Sequence, residues 1–365
     1  MKSYVTCLVI LFSFQFTGRL PKTIAPKSNA ASSENIFIIT LDGFRWQEVF
    51  TGADPVLINK EEYTPDTATM KMLYWAADAE GRRKKLLPFL WNVIGIKGQI
   101  YGNRQYDNKV NTSNLYSISY PGYNEIFTGN TDISISSNTK SSNHNTNILE
   151  YLNTKKKFKG KVAGFTSWDV FPYIFNKERS HIVLNSGYEN MDDANDLQQS
   201  LINKVQAESV FDKTNTRHDG LTFLTAKEYI RSHQPKIVFL GLGETDEAAH
   251  NARYDTYLEK AAEADRMIAE LWHWVQTTPG YKDNTTFIIT TDHGRGKTGN
   301  WTDHGMFING SSQTWLAVIG PHISPLGEIK EDQQLFQKQL AQTIASLVGE
   351  EFLNDQQIAS AISFK

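Results

Sequence analysis

Three uninterrupted apolar stretches stand out from a chain that otherwise mixes apolar and polar positions: NIFIITLDG from Asn35, KIVFLGLGETD from Lys236 and TFIITTDHG from Thr286. Runs of this length, rich in Ile, Val and Phe, predict strands covered on both faces, as in the sheet of an α/β protein. GQIYGN, KVAGFTSW and WLAVIGPHI are weaker strand candidates. Between the runs the pattern becomes helical. From Tyr254 to Gln276, apolar residues recur at Leu258, Ala261, Ile268, Leu271 and Val275, which turns one face inward. Phe336, Leu340, Ile344 and Leu347 repeat the spacing, with Gly349 placed as a C-cap. Alternation of strand and helix predicts an α/β fold. The polar SISSNTKSSNHNTN stretch reads as a loop, as does much of Thr51 to Asp78 and of Gly187 to Asp219. With no internal repeat and no second core, residues 34–365 read as one domain.

Residues 1–33 read differently. MKSYVTCLVILFSFQF has one Lys and then an apolar run to Phe16, too short to span a membrane and suited to a secretory signal. A buried first strand is the alternative, but Arg19 to Ser33 is linker-like. The expectation is a secreted or periplasmic protein. Its only cysteine, Cys7, lies within the leader, so the mature chain has neither disulfides nor thiolate metal ligands. No other run is long enough to cross a bilayer. Hydrophobic residues make up 40% and charged residues 21% of the 365, as in soluble globular proteins. A net charge of −3 offers no basic field for nucleic acid. The clusters Arg82 to Lys85 and Lys155 to Lys157 read as solvated charge.

Each strong strand run ends in an acidic residue: Asp42, Asp246 and Asp292. In open α/β sheets the ligand site lies at the carboxyl ends of the strands. ETDEAAH places His250 four residues after Asp246, on the same face if the segment is helical. TTDHGRGKTGNWTDHGM repeats Asp-His-Gly, at Asp292-His293-Gly294 and Asp303-His304-Gly305. A Gly-rich surface loop explains such a repeat by itself; beside the other strand ends it reads as metal ligands from two neighbouring sites. The nucleophile candidate is Ser119 in NLYSISYPGYNEIFTGN, where Pro121 suits a first helical turn and Thr128-Gly129 an end. A helix N-terminus favours a developing anion. Ser119 as a simple N-cap is the other reading, and Ser117 is the rival nucleophile.

The order Asp42, Ser119, Asp246-x-x-x-His250, Asp292-His293, His304 resembles the alkaline phosphatase superfamily, and within it the type I phosphodiesterase/nucleotide pyrophosphatase branch. That branch has a Thr or Ser nucleophile, Pro two residues on, and Thr-Gly nine and ten residues on; Ser119, Pro121, Thr128 and Gly129 match. The resemblance spans Ile36 to about Pro321. It implies an alkaline-phosphatase-like three-layer sandwich with a mostly parallel central sheet and a metal site at the carboxyl ends of its strands. It also implies two divalent metals, zinc or alternatively manganese. One is expected on Asp246, His250 and His304, the other on Asp42, Asp292, His293 and the Ser119 oxygen. Ser119 then attacks a small-molecule phosphate ester to give a phosphoseryl intermediate.

Two departures matter. The branch has Asn-His directly after the Pro, and that Asn contacts a phosphate oxygen. This chain has Gly122-Tyr123, so the role falls to Asn124 or to the backbone N–H of Gly122. Sulfatases need Arg where Tyr123 stands. Phosphoglycerate mutases of this fold carry a large inserted domain that the chain is too short to hold. A diester or nucleotide pyrophosphate substrate is expected, with Tyr116, Tyr120, Tyr123, Trp168 and Phe171 as stacking candidates. Arg295 and Lys297, just after His293-Gly294, are candidate phosphate clamps and favour a phosphomonoesterase instead. A sulfatase or phosphonate hydrolase and a non-catalytic metal-binding protein are the remaining alternatives; the last is favoured only if a ligand is missing, and none is.

Overall fold

A computed structural model describes residues 33–192, 196–210, 213–214 and 216–364. The expected leader and linker therefore lie outside the described residues, except Ser33. Residues Ala31–Lys365 form a compact unit of their own. Its strands, in chain order, are β1 (Asn35–Leu41), β2 (Gln99–Tyr101), β3 (Asn108–Asn111), β4 (Val162–Thr166), β5 (Val183–Ser186), β6 (Ile237–Leu242), β7 (Thr285–Thr290), β8 (Gln313–Thr314), β9 (Leu316–Ile319), β10 (Gly327–Glu328) and β11 (Gln333–Phe336).

The three strong apolar runs are β1, β6 and β7, and every residue in them is buried. They sit side by side in an eight-stranded sheet ordered β10–β2–β9–β7–β1–β6–β4–β5. β1 pairs in parallel with both neighbours, Ile38 facing Phe239 on one side and Ile288 on the other. Only β9 runs against its neighbours β2 and β7. The weaker candidates became β2, β4 and β9. A small second sheet is ordered β11–β3–β8.

Side chains alternate across β1. Phe37, Ile39 and Leu41 join one core; Ile36 and Ile38 join the other. The Tyr254–Thr277 helix closes the first core with Leu258, Ala261, Ile268, Leu271 and Val275, as its spacing predicted. The Ser119–Thr128 and Leu340–Leu347 helices close the second. Helix, sheet and helix make the three layers expected. No helix among the described residues is long and apolar enough to cross a membrane.

Three elements differ from the sequence reading. Phe336 belongs to β11, and the last helix begins only at Leu340. The Thr67–Tyr74 helix lies within a stretch read as loop. So does the Leu197–Ser209 helix, whose pattern is inverted: it buries Gln199 and Gln206 and exposes Leu197, Leu201 and Val205. Its inward contacts are amide hydrogen bonds, such as Gln206 Nε2 to the Tyr188 carbonyl at 2.9 Å, so apolar periodicity does not mark its inner face.

A buried ion pair fixes the turn after β1. Arg45 Nε donates to Glu48 Oε2 at 2.9 Å, and both side chains are buried. Tyr254 donates its hydroxyl to Glu48 Oε1 at 2.9 Å, and Arg45 Nη1 donates to the Gly296 carbonyl at 3.1 Å. The pair thus ties the end of β1 to the long helix and to the loop after His293. Removing one member of such a pair leaves a buried charge uncompensated. Glu48→Ala should lower unfolding stability by about 3–5 kcal/mol, read from denaturant midpoints. A loss below about 1 kcal/mol, the scale of an exposed pair, would show that the pair does not anchor this turn.

Candidate metal centre and nucleophile

The ends of β1, β6 and β7 lie together because the strands are parallel neighbours. Asp42 follows β1 directly. Gly243 follows β6 and leads into the Glu244–His250 helix, which carries Asp246 and His250 on one face. Asp292 and His293 follow β7 after Thr291. Ser119 is the first residue of its helix, and Gly129, at φ 73°, caps the other end. Ser119 Oγ lies 3.4 Å from Asp42 Oδ1 and 3.2 Å from His293 Nε2. His293 Nε2 is in turn 3.5 Å from Asp292 Oδ2 and 4.0 Å from Asp246 Oδ1. His304 Nε2 is 3.8 Å from Asp246 Oδ1, and the His304 and His293 rings stack with centroids 3.9 Å apart. Every ligand expected from the sequence is in this cluster.

The donor atoms suit a divalent cation. His293 Nδ1 lies 2.9 Å from the Gly294 carbonyl, and His304 Nδ1 lies 3.2 Å from the Ser117 carbonyl. A carbonyl only accepts, so each Nδ1 carries the proton and each Nε2 turns a lone pair inward. Burial pushes His293 down to about 4 and His304 down to about 3, which keeps both imidazoles neutral. Asp292 Oδ1 accepts from the Gly43 N–H at 3.1 Å, yet the buried Oδ2 has no hydrogen-bond partner among the described residues. A carboxylate oxygen left so is costly unless a cation meets it.

Charge points the same way. Burial, and then repulsion from Asp246, raises Asp42 to about 7. Burial and then Asp42 push Asp292 up. Burial opposes ionisation of Asp246 most, but the Arg295 guanidinium, the hydrogen bond from His250 and the two nearby histidines together outweigh it and hold that carboxyl well below its usual range. Two sets of three donor atoms lie within 4.8 Å of one another: Asp42, Asp292 and His293, and Asp246, His293 and His304. Oxygen and imidazole donors without sulfur are compatible with zinc or manganese. The first set is the one expected. The second shares His293, whose one Nε2 lone pair can serve a single cation, and His250, expected in this set, brings its Nε2 to 3.1 Å from that of His304. His250 Nε2 does reach Asp246 Oδ2, at 3.2 Å, but its Nδ1 lies 3.3 Å from Arg295 Nη2. A guanidinium can only donate, so a neutral His250 turns an N–H rather than a lone pair into the cluster.

The residues expected on substrate lie elsewhere. Arg295 is buried, paired with Asp246 and donating from Nε to the Trp301 carbonyl at 3.0 Å. It stands behind the cluster, because a guanidinium in a dry interior seeks a carboxylate. Asn124 is five residues after Ser119, about 140° further round the helix. Its Oδ1 accepts from Asn143 at 3.0 Å and from Asn145 at 3.3 Å, away from Ser119. The Gly122 N–H is spent on the Ile118 carbonyl at 3.0 Å. Ser117 serves the site with its carbonyl, while its hydroxyl lies 3.5 Å from that of Thr112.

Three residues have supporting roles that the sequence reading did not give them. Tyr123 donates to Asp42 Oδ2 at 3.1 Å; its place one turn after Ser119 was the available signal. Thr245 donates to the Asp42 carbonyl at 2.6 Å. Asp219 accepts from the Gly243 and Glu244 N–H groups at 2.8 and 3.1 Å and so caps the helix that carries Asp246. Nothing in the sequence near Asp219 marked it.

The profile of the type I phosphodiesterase/nucleotide pyrophosphatase family matches residues 97–347. No curated protein matches the chain. Among solved structures, the alkaline phosphatase PafA aligns with TM-score 0.56 and 12% identity over 88% of this chain and 96% of its own. The lipoteichoic acid synthase LtaP from Listeria monocytogenes aligns with TM-score 0.56 and 13% identity over 88% and 73%. A phosphonate monoester hydrolase from Silicibacter pomeroyi gives TM-score 0.53 and 14% identity over 88% and 74%. At such identities the likeness is one of fold, and it is the fold described above. The profile match covers well over half of the chain, and the chain belongs to the type I phosphodiesterase/nucleotide pyrophosphatase family.

Proposed function

We propose that the chain is an exported two-metal phosphoester hydrolase in which Ser119 is the nucleophile and the substrate is a phosphodiester or nucleotide pyrophosphate. The observation that carries this reading is the Ser119 hydroxyl, in the first turn of its helix and within reach of both Asp42 and His293. Two divalent cations, zinc or manganese, one held by Asp42, Asp292 and His293 and the other by Asp246 and His304 with His250 beside them, would lower the pKa of that hydroxyl and offset phosphoryl charge. Ser119 Oγ bonds to phosphorus as the bond to the leaving oxygen breaks, and the leaving oxygen takes up a proton. Water then cleaves the phosphoserine and restores Ser119. Phosphoryl transfer asks a protein chiefly for position and charge, and a cluster fixed by three strand ends supplies both. Placement outside the cytoplasm rests on the apolar run ending at Phe16.

Two features favour a diester over a monoester. Arg295 is withdrawn onto Asp246, and among the described residues no Lys or Arg bonds to Ser119, Asp42 or Asp292. A monoester brings more charge and needs such a partner. The segments flanking Ser119 also carry exposed apolar side chains: Leu115, Ile133, Met306 and Phe307. These segments are joined at the site, since His304 meets the Ser117 carbonyl and Tyr116 donates to the Ile133 carbonyl at 2.6 Å. They offer a wall for a second ester substituent. Of the earlier stacking candidates, Tyr120, Tyr123 and Phe171 are core residues.

Ser119→Ala should lose nearly all turnover of bis(para-nitrophenyl) phosphate while keeping its metal content; near-normal rates would remove Ser119 as nucleophile. The diester should give the higher kcat/KM when compared with para-nitrophenyl phosphate, and Arg295→Ala should lower both values together because it acts through Asp246. A monoester preference that collapses in Arg295→Ala would make the protein a phosphomonoesterase. Protons and cations compete for the ligand carboxylates. With Asp42 raised to about 7, cation affinity measured by calorimetry should be full above that pH and fall progressively below it. Affinity unchanged on acidification would exclude Asp42 as a ligand.

A further inference from the structure

The two positions at which this chain departs from its family's pattern, Gly122 and Tyr123, are both in contact with residues of the metal cluster. A Cβ built on Gly122 would lie 2.5 Å from the Asp292 carbonyl oxygen, far inside contact distance. The helix carrying Ser119 can approach the end of β7 this closely only because residue 122 has no side chain. One residue on, the Tyr123 hydroxyl lies 3.1 Å from Asp42 Oδ2, while Asp42 Oδ1 faces Ser119 Oγ and His293 Nε2, each at 3.4 Å.

We propose that Tyr123 is a positioning residue for the cation held by Asp42, Asp292 and His293: its phenol occupies Asp42 Oδ2 and thereby presents Oδ1 to the cation and to Ser119. This rests on the two-metal reading given above. Tyr123 is suited to the task. Its ring is buried against Phe171, centroids 4.6 Å apart, and against Phe239 at 6.3 Å, so the hydroxyl has little freedom. The Thr40 hydroxyl lies 3.3 Å from the phenol oxygen and can donate to it, leaving the phenol proton for Asp42. Burial, with Asp292 and Asp42 nearby, holds the phenol well above its usual pKa, so it stays a donor. Because Tyr123 sits on the helix that begins with Ser119, one rigid element sets both the nucleophile and the carboxylate that faces it. Where the family's pattern puts a phosphate-contacting Asn, this chain puts a close helix contact, and the next side chain acts on a ligand rather than on substrate.

Tyr123→Phe keeps the ring and removes only the hydroxyl. Zinc affinity of the chelator-stripped protein should be measured by calorimetry for wild type, Tyr123→Phe and Asp42→Asn, with thermal unfolding of each stripped protein. Wild type should bind two equivalents, and Asp42→Asn should identify which one depends on Asp42. In Tyr123→Phe that same equivalent should weaken by about 10–100-fold, the usual effect of losing an outer partner of a ligand. The other equivalent and the unfolding temperature of the stripped protein should not move. Two wild-type-like affinities in Tyr123→Phe would overturn the positioning role while leaving the two-metal reading intact. Equal weakening of both sites with a lowered unfolding temperature would also overturn it, showing a packing role alone. Failure of wild type itself to take up two equivalents would sink the two-metal reading and this inference with it.

Discussion

Three carboxylates gathered in one buried place set the terms for everything around them. Asp42, Asp246 and Asp292 all come within 4.0 Å of His293 Nε2, and among the described residues the guanidinium paired with them is that of Arg295, on Asp246. Like charges in a weakly polar interior repel strongly. Without cations, the protein responds by protonation: Asp42 and Asp292 are pushed up, and only Asp246 stays firmly ionised. The neutral imidazoles add lone pairs and no positive charge. The Asp292 oxygen with no hydrogen-bond partner among the described residues is where this cluster is best suited to meet a cation.

Holding such a cluster together is the work of the scaffold. β7, β1 and β6 are adjacent, parallel and buried on both faces, so their carboxyl ends cannot drift apart. Just beyond β1 the chain must turn in very little space. Gly43, at φ 58°, allows it; a Cβ there would lie 2.7 Å from Asp246 Oδ1. The Arg45–Glu48 pair then anchors the turn to the long helix and to the loop after His293. Asp219 caps the short helix that brings Asp246 and His250. Charges buried for structure thus surround charges buried for chemistry.

How much of this was legible in the sequence depended on how each residue is held. The strands β1, β6 and β7 and the Tyr254–Thr277 helix announced themselves because burial selects apolar residues at a fixed period. The Leu197–Ser209 helix did not, since it docks through Gln199, Asn203 and Gln206 and turns its leucines outward. Phe336 fell at a helical interval by coincidence and pairs instead in β11. The clustering of the candidate ligands was legible because each strong strand run ends in Asp and because Asp-His-Gly occurs twice.

The sequence by itself determined the α/β fold, the strand ends that carry the acids, and the residues that meet around Ser119. It could do so because chain neighbours of a buried strand have nowhere to go but its end. Which way a side chain turns was decided only in three dimensions. Asn124 was chosen for its chemistry and nearness to Ser119, but helical geometry carries it round to Asn143 and Asn145, while Tyr123, at the helical interval, reaches Asp42. Arg295 reads as a clamp for phosphate until the fold places a carboxylate beside it in a dry interior. His250 and His293 look alike as ligands along the chain. Their tautomers differ because one ring meets a guanidinium and the other a backbone carbonyl, neighbours that no local sequence contains.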